Sequence, residues 1–177
     1  VAFTSLAEGS GDTETSPASE TLKGLLGRLG GTADRWSRYA IGSELARGAM
    51  GRIMVAWDQE LRRDVAIKVL RGPADDHRQQ RRFVEEAQIA AQLDHPGIVP
   101  IHELGVDPDG RPFFAMRLVR GTDLGAVLQQ ERAGAREWTR TRVLHVLLRV
   151  CEAIAYAHHK GVVHRDLKPA NIMVGRF

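Results

Sequence analysis

A chain of 177 residues has room for one domain with a real core, and 43% apolar with 27% charged residues is the balance of a water-soluble globular protein. A net charge of only +3, with much of the Arg set beside acids, argues against a nucleic-acid-binding surface, and a single cysteine excludes an internal disulfide. No apolar run approaches the roughly 18–20 residues needed to cross a bilayer, and the opening VAFTSLAEGSGDTE lacks the basic-then-apolar pattern of a signal peptide.

The first residue is Val rather than Met, so the chain is read as starting within a longer protein. Residues 1–38 form a leader, poor in apolar groups and expected to be disordered. Within it, apolar residues at 22, 25, 26 and 29 have helical spacing over 21–29. Gly24 and Gly27 make that helix marginal unless it docks, so a frayed linker helix is expected. From Tyr39 the pattern turns to short strands: Tyr39 to Leu45, Ile53 to Asp58 and the β-branched run Val65 to Leu70. A helix is predicted over 75–93, then strands over 99–104 and 113–119, joined by the turn Asp107-Pro108-Asp109-Gly110. Asp123 is placed to cap a short helix over 124–131. The longest helix is predicted over 139–160 and is stopped by Gly161; Cys151 falls in its apolar pattern and is expected in the core of a protein from a reducing compartment.

Two charged residues break these patterns. In Val65-Ala66-Ile67-Lys68-Val69-Leu70 the alternation puts Lys68 on one face with Ala66 and Leu70, where an unpaired ammonium is costly. In the following helix, positions 83, 86, 90 and 93 form one stripe, apolar except for Glu86, while Glu85 points about 100° away toward solvent. Lys68 and Glu86 are therefore predicted partners, with an Arg partner for Glu86 as the plainer alternative. Gly48 and Gly51, three apart in a strand-to-strand turn, would let backbone amides approach a polyphosphate; alone they describe only a tight hairpin.

Near the end stands His164-Arg165-Asp166-Leu167-Lys168-Pro169-Ala170-Asn171. Pro169 argues for a loop, and the stretch sets a carboxylate, an ammonium and a carboxamide at fixed offsets. His158 and His159 end a helix and, with His164, are not read as a metal cluster.

Together these stretches, with Leu93-Asp94-His95-Pro96-Gly97, resemble the bacterial Hanks-type (eukaryotic-like) serine/threonine protein kinases over Tyr39 to Phe177. The resemblance implies an α+β protein-kinase-like fold. Residues 39–119 would be the N-terminal lobe, a five-stranded antiparallel sheet with one helix, and 120–177 the first part of the helical C-terminal lobe. It implies ATP and Mg²⁺ as cofactors, protein Ser/Thr hydroxyls as substrates, and a cytoplasmic location. Gly48 and Gly51 would cover the phosphates, and Lys68, positioned by Glu86, would hold them. Leu45, Ile53, Ala66 and Met173 would sandwich the adenine, with Met116 behind it. Backbone groups of Arg117 and Val119 would bond the adenine edge. Asp123 would reach the ribose or merely cap its helix. Asp166 would be the catalytic base, Lys168 would steady the γ-phosphate and Asn171 would bind Mg²⁺. Arg165 beside Asp166 matches kinases controlled through activation-loop phosphorylation.

Two departures stand out. Ala46 replaces the first glycine of the family's G-x-G-x-x-G, which implies less freedom in the phosphate loop. No Asp-Phe-Gly or similar metal-binding triplet follows Asn171 before Phe177, so the chain is expected to lack a complete Mg²⁺ site, to leave the long helix with an exposed apolar patch, and not to turn over. A non-catalytic nucleotide-binding or scaffold module is the alternative, and a small-molecule phosphotransferase a weaker third.

Overall fold

The structure, a computed structural model, describes residues 7–8, 22–31, 35–48, 50–73 and 76–175. The rest of the predicted leader lies outside the described residues. In chain order the elements are β1 (Ala7–Glu8), α1 (Leu22–Gly31), β2 (Tyr39–Arg47), β3 (Gly51–Asp58), β4 (Arg63–Leu70), α2 (His77–Ala91), β5 (Ile101–Val106) and β6 (Pro112–Arg117). There follow β7 (Gly121–Asp123), α3 (Leu124–Arg132), α4 (Arg140–His159), β8 (Val162–Val163), a 3₁₀ turn over Pro169–Asn171, and β9 (Met173–Gly175). They divide into two compact units: Ser10–Ala91 with Ile101–Leu118, and Val1–Gly9 with Gln92–Pro100 and Val119–Phe177.

The first unit is an antiparallel sheet in the order β2-β3-β4-β6-β5. Central β4 is buried from Val65 to Leu70, so its sequence reads as a nearly continuous apolar run. On one face Val65, Ile67 and Val69 pack with Tyr39, Met54, Ala56, Phe113 and Ala115, and Trp36 leans on this core. On the other, Leu70 and Phe114 meet Phe83 and Ala87 of α2. Alternation along β4 therefore sends Lys68 to the α2 side. The helix begins where Asp76 accepts a bond from the Gln79 backbone N–H at 3.0 Å, and it ends two residues short of the predicted Leu93. Edge strand β2 is exposed from Ala40 onward and bulges on either side of Glu44. Its start is held by Arg38, which donates two 2.7 Å bonds to the buried Asp58, and by the Tyr39 hydroxyl, which donates to Glu103 at 2.6 Å. The helix expected to fray is a ten-residue α1 lying against β5, its leucines half-buried; docking supplies what two interior glycines withhold.

In the second unit Asp123 accepts from the Ala126 N–H at 3.0 Å and caps α3, while Thr139 caps α4 through Arg142. Leu124, Val127, Val143, Val150 and Ile172 form the core. The apolar pattern of α4 resolves into a buried line, Val143, Val150, Ala153 and Ala157, beside an exposed one, Leu144, Leu147 and Leu148. Cys151 belongs to the exposed line, which corrects the core position expected of it. Gly161, at φ 75°, ends the helix as predicted. Pro169 opens the 3₁₀ turn rather than lying in open loop, since the first position of a helical turn needs no proline N–H.

Candidate functional site

The sheet unit brings Lys68 and Glu86 together. Nζ donates to Oε1 at 2.6 Å, and each side chain is only 8% exposed. The rings of Phe83 and Phe114 lie 5.6 and 5.4 Å from the ammonium, which adds cation–π attraction in a dry setting. Burial pushes the Glu86 carboxyl above its ordinary range, and the attraction of Lys68 opposes the shift. Glu85 is exposed. Phe114 could not be named from sequence, because it reaches Lys68 through the β4–β6 register, Lys68 opposite Phe114.

The glycine turn lies where β2 passes into β3. Gly48 N–H donates to the Gly51 carbonyl at 2.9 Å and closes the turn. A Cβ on Gly51 would stand 2.8 Å from the Val69 carbonyl, so this glycine is required by the approach of β4. Ala46 is paired with Ile53 in the sheet and is not among the residues with positive φ, so alanine stands there without strain. Ile53 is next opposite Lys68, and Ala66 is opposite Met116, which sets Ala46, Ile53, Lys68, Ala66 and Met116 on neighbouring strands. Leu45 is 52% exposed on β2, and Arg117 ends β6 opposite Val65.

In the second unit Val119 precedes β7, which pairs with β9 and sets Asp123 opposite Met173. Asp123 is the helix cap, so one of its two expected roles is realised. The loop around Asp166 is organised by its own side chains. Lys168 Nζ lies 2.8 and 3.1 Å from the two carboxylate oxygens. Asn171 Nδ2 donates to the Asp166 carbonyl at 2.8 Å and to its carboxylate at 3.0 Å. The backbone N–H of Asp166 turns toward the buried His164, and Arg165 takes a left-handed φ of 58° to allow it. Bonds from Lys168, and then from Asn171, hold the Asp166 carboxyl below its ordinary range, so it is ionised at neutral pH. With Nδ2 turned to Asp166, Asn171 offers one amide oxygen to a hard cation. Among the described residues no group of three His, Cys, Asp or Glu could hold a metal alone. One such oxygen fits Mg²⁺ as a partner to phosphate and water oxygens.

The protein kinase domain family model matches residues 39–176. The serine/threonine-protein kinase PknD of Protochlamydia amoebophila is 36% identical over 148 residues, 78% of this chain and 15% of that protein. The serine/threonine-protein kinase PknB of Mycobacterium tuberculosis is 40% identical over 141 residues, 77% of this chain and 22% of that protein. Among solved structures, the M. tuberculosis PknI kinase domain superposes with a TM-score of 0.60 at 32% identity, covering 77% of this chain and 54% of that one. The chain therefore belongs to the protein kinase family, with the α+β kinase fold and relatives named as bacterial serine/threonine kinases. It spans less than a quarter of the length of these two relatives. No helix among the described residues is long and apolar enough to cross a membrane.

Proposed function

We propose that this chain carries ATP-binding and phosphoryl-transfer residues of a protein kinase that phosphorylates Ser and Thr hydroxyls. The buried Lys68–Glu86 pair carries the reading: two charges stand 8% exposed where apolar groups would stabilise the fold as well or better. A polyphosphate gives that ammonium a purpose. In this reading the turn bearing Gly48 and Gly51 covers the phosphates, and Leu45, Ala46, Ile53, Ala66 and Met116 furnish apolar surface for the base. Arg117, Val119, Asp123 and Met173 keep the adenine- and ribose-binding roles the family implies. Asn171, together with phosphate oxygens, would hold Mg²⁺, which would supply positive charge beside the transferred group. Asp166, ionised and oriented by Lys168 and Asn171, accepts a bond from the substrate hydroxyl and takes its proton as transfer proceeds. Because ATP is a cytoplasmic metabolite, the reading carries a cytoplasmic location for this domain.

The test is phosphate transfer from ATP to a Ser/Thr-bearing protein by the intact protein. Asp166→Asn is expected to lower the rate about 10²–10⁴-fold while ATP still binds. An unchanged rate would remove Asp166 from the chemistry. Wild-type protein that binds ATP but transfers nothing to any substrate or to itself would favour the scaffold reading.

A further inference from the structure

The glycine turn is tied down by a residue outside every motif that pointed to it. Arg71, one position beyond β4, bonds the turn twice: its backbone N–H donates to the Met50 carbonyl at 3.1 Å, and its guanidinium Nη1 donates to the Gly48 carbonyl at 3.3 Å. On β2, just before the turn, Arg47 donates to Glu44 through bonds of 2.7 and 2.8 Å. Glu44 sits in the field of Arg52 and Arg71 besides Arg47. Ala46, already paired in the sheet, adds to the rigidity.

We infer that Arg71 is a positioning residue for the phosphate-binding turn: through Gly48 and Met50 it holds the turn in its phosphate-accepting shape before nucleotide arrives. This rests on the nucleotide reading above and adds to it. A glycine-bearing turn on a sheet edge is free to sample many shapes, and ordering it on binding would subtract from affinity. A tether from β4, the strand that carries Lys68, keeps the turn and the ammonium in one rigid frame.

The test is the affinity of the full chain for ATP and for adenosine, read by titration calorimetry, with amide exchange followed over the turn. Arg71→Ala is expected to weaken ATP about threefold to tenfold, the worth of one exposed charge-assisted bond. Adenosine, which has no phosphate, should bind unchanged. Exchange in the Gly48–Gly51 peptide should quicken while that of Val65–Val69 does not. Arg71→Lys, which keeps a donor within reach of the Gly48 carbonyl, should recover most of the ATP affinity. Equal weakening of ATP and adenosine, or unchanged ATP affinity with unchanged exchange, overturns the inference. Lys68→Met separates this from the underlying reading. ATP binding sensitive to Lys68→Met but not to Arg71→Ala sinks only the role of Arg71, whereas ATP binding insensitive to both sinks the phosphate reading with it.

Discussion

Lys68 and Glu86 show how a pair can be costly to the fold and still be kept. Each charge leaves water on folding, and the 2.6 Å contact returns only part of that cost. The raised carboxyl of Glu86 is the visible remainder: burial outweighs the help from Lys68. Replacing both residues by apolar ones of similar size, Lys68→Met with Glu86→Leu, should therefore leave stability unchanged or higher while ATP binding disappears. Glu86→Ala alone should cost about 3 kcal/mol, because it takes the carboxylate away from a buried ammonium. Denaturant unfolding of the two single variants and the double variant measures this, and a double variant as unstable as Glu86→Ala would show the pair to be structural. Both partners were legible in sequence because each broke a directional pattern, alternation for Lys68 and the helical stripe for Glu86. Arg71 broke no pattern. Its link to Gly48 exists only once the turn and the end of β4 are side by side, and nothing local in the sequence encodes that.

At the scale of elements, two glycines are fixed by neighbouring backbone rather than by their own conformation. Gly51 faces the Val69 carbonyl, and Gly121 faces Val174, whose carbonyl oxygen would collide with an added Cβ. Gly48, by contrast, has nothing nearer than 3.8 Å. Gly121→Ala should push β7 from β9, lose more than about 2 kcal/mol and disturb the Asp123–Met173 pairing, whereas Gly48→Ala should fold normally. A Gly121→Ala chain with wild-type melting temperature would contradict the close approach seen between these strands. The short strands β7 and β9 went unread because three residues carry no usable period, although the long elements around them were placed within a few residues. The helix α4 misled for a different reason. Its sequence is apolar along two adjacent lines, and periodicity alone does not say which line is covered, so Cys151 was assigned to the wrong one.

At the scale of the whole molecule the sheet unit and the helical unit each have their own core, and the pH dependence of stability is written mainly in the sheet unit. Asp58 is buried and bonded first by Arg38 and then by the Leu61 and Glu60 backbone N–H groups, which hold its carboxyl down at about 2. A carboxyl depressed on folding contributes stability in full above the range of a free carboxyl, and that stability is lost as pH falls toward about 2. Glu86 acts with opposite sign: its raised carboxyl makes the folded state less favourable as pH rises through the ordinary range and ionisation is forced. Tyr39, raised by burial and by its bond to Glu103, limits the alkaline side, where stability falls once the free phenol would ionise. Unfolding free energy should therefore drop between about pH 4 and pH 2, and Arg38→Ala should flatten that drop and cost about 2 kcal/mol at neutral pH, since it removes both 2.7 Å bonds from a buried carboxylate. The tryptophans make the measurement specific: Trp36 and Trp57 report on the sheet unit and Trp138 on the helical one, so Trp138→Phe leaves fluorescence from the sheet alone. In that background the acid loss should persist with Arg38 present and shrink with Arg38→Ala. An acid slope that Arg38→Ala leaves untouched would mean that carboxylates other than Asp58 govern acid unfolding.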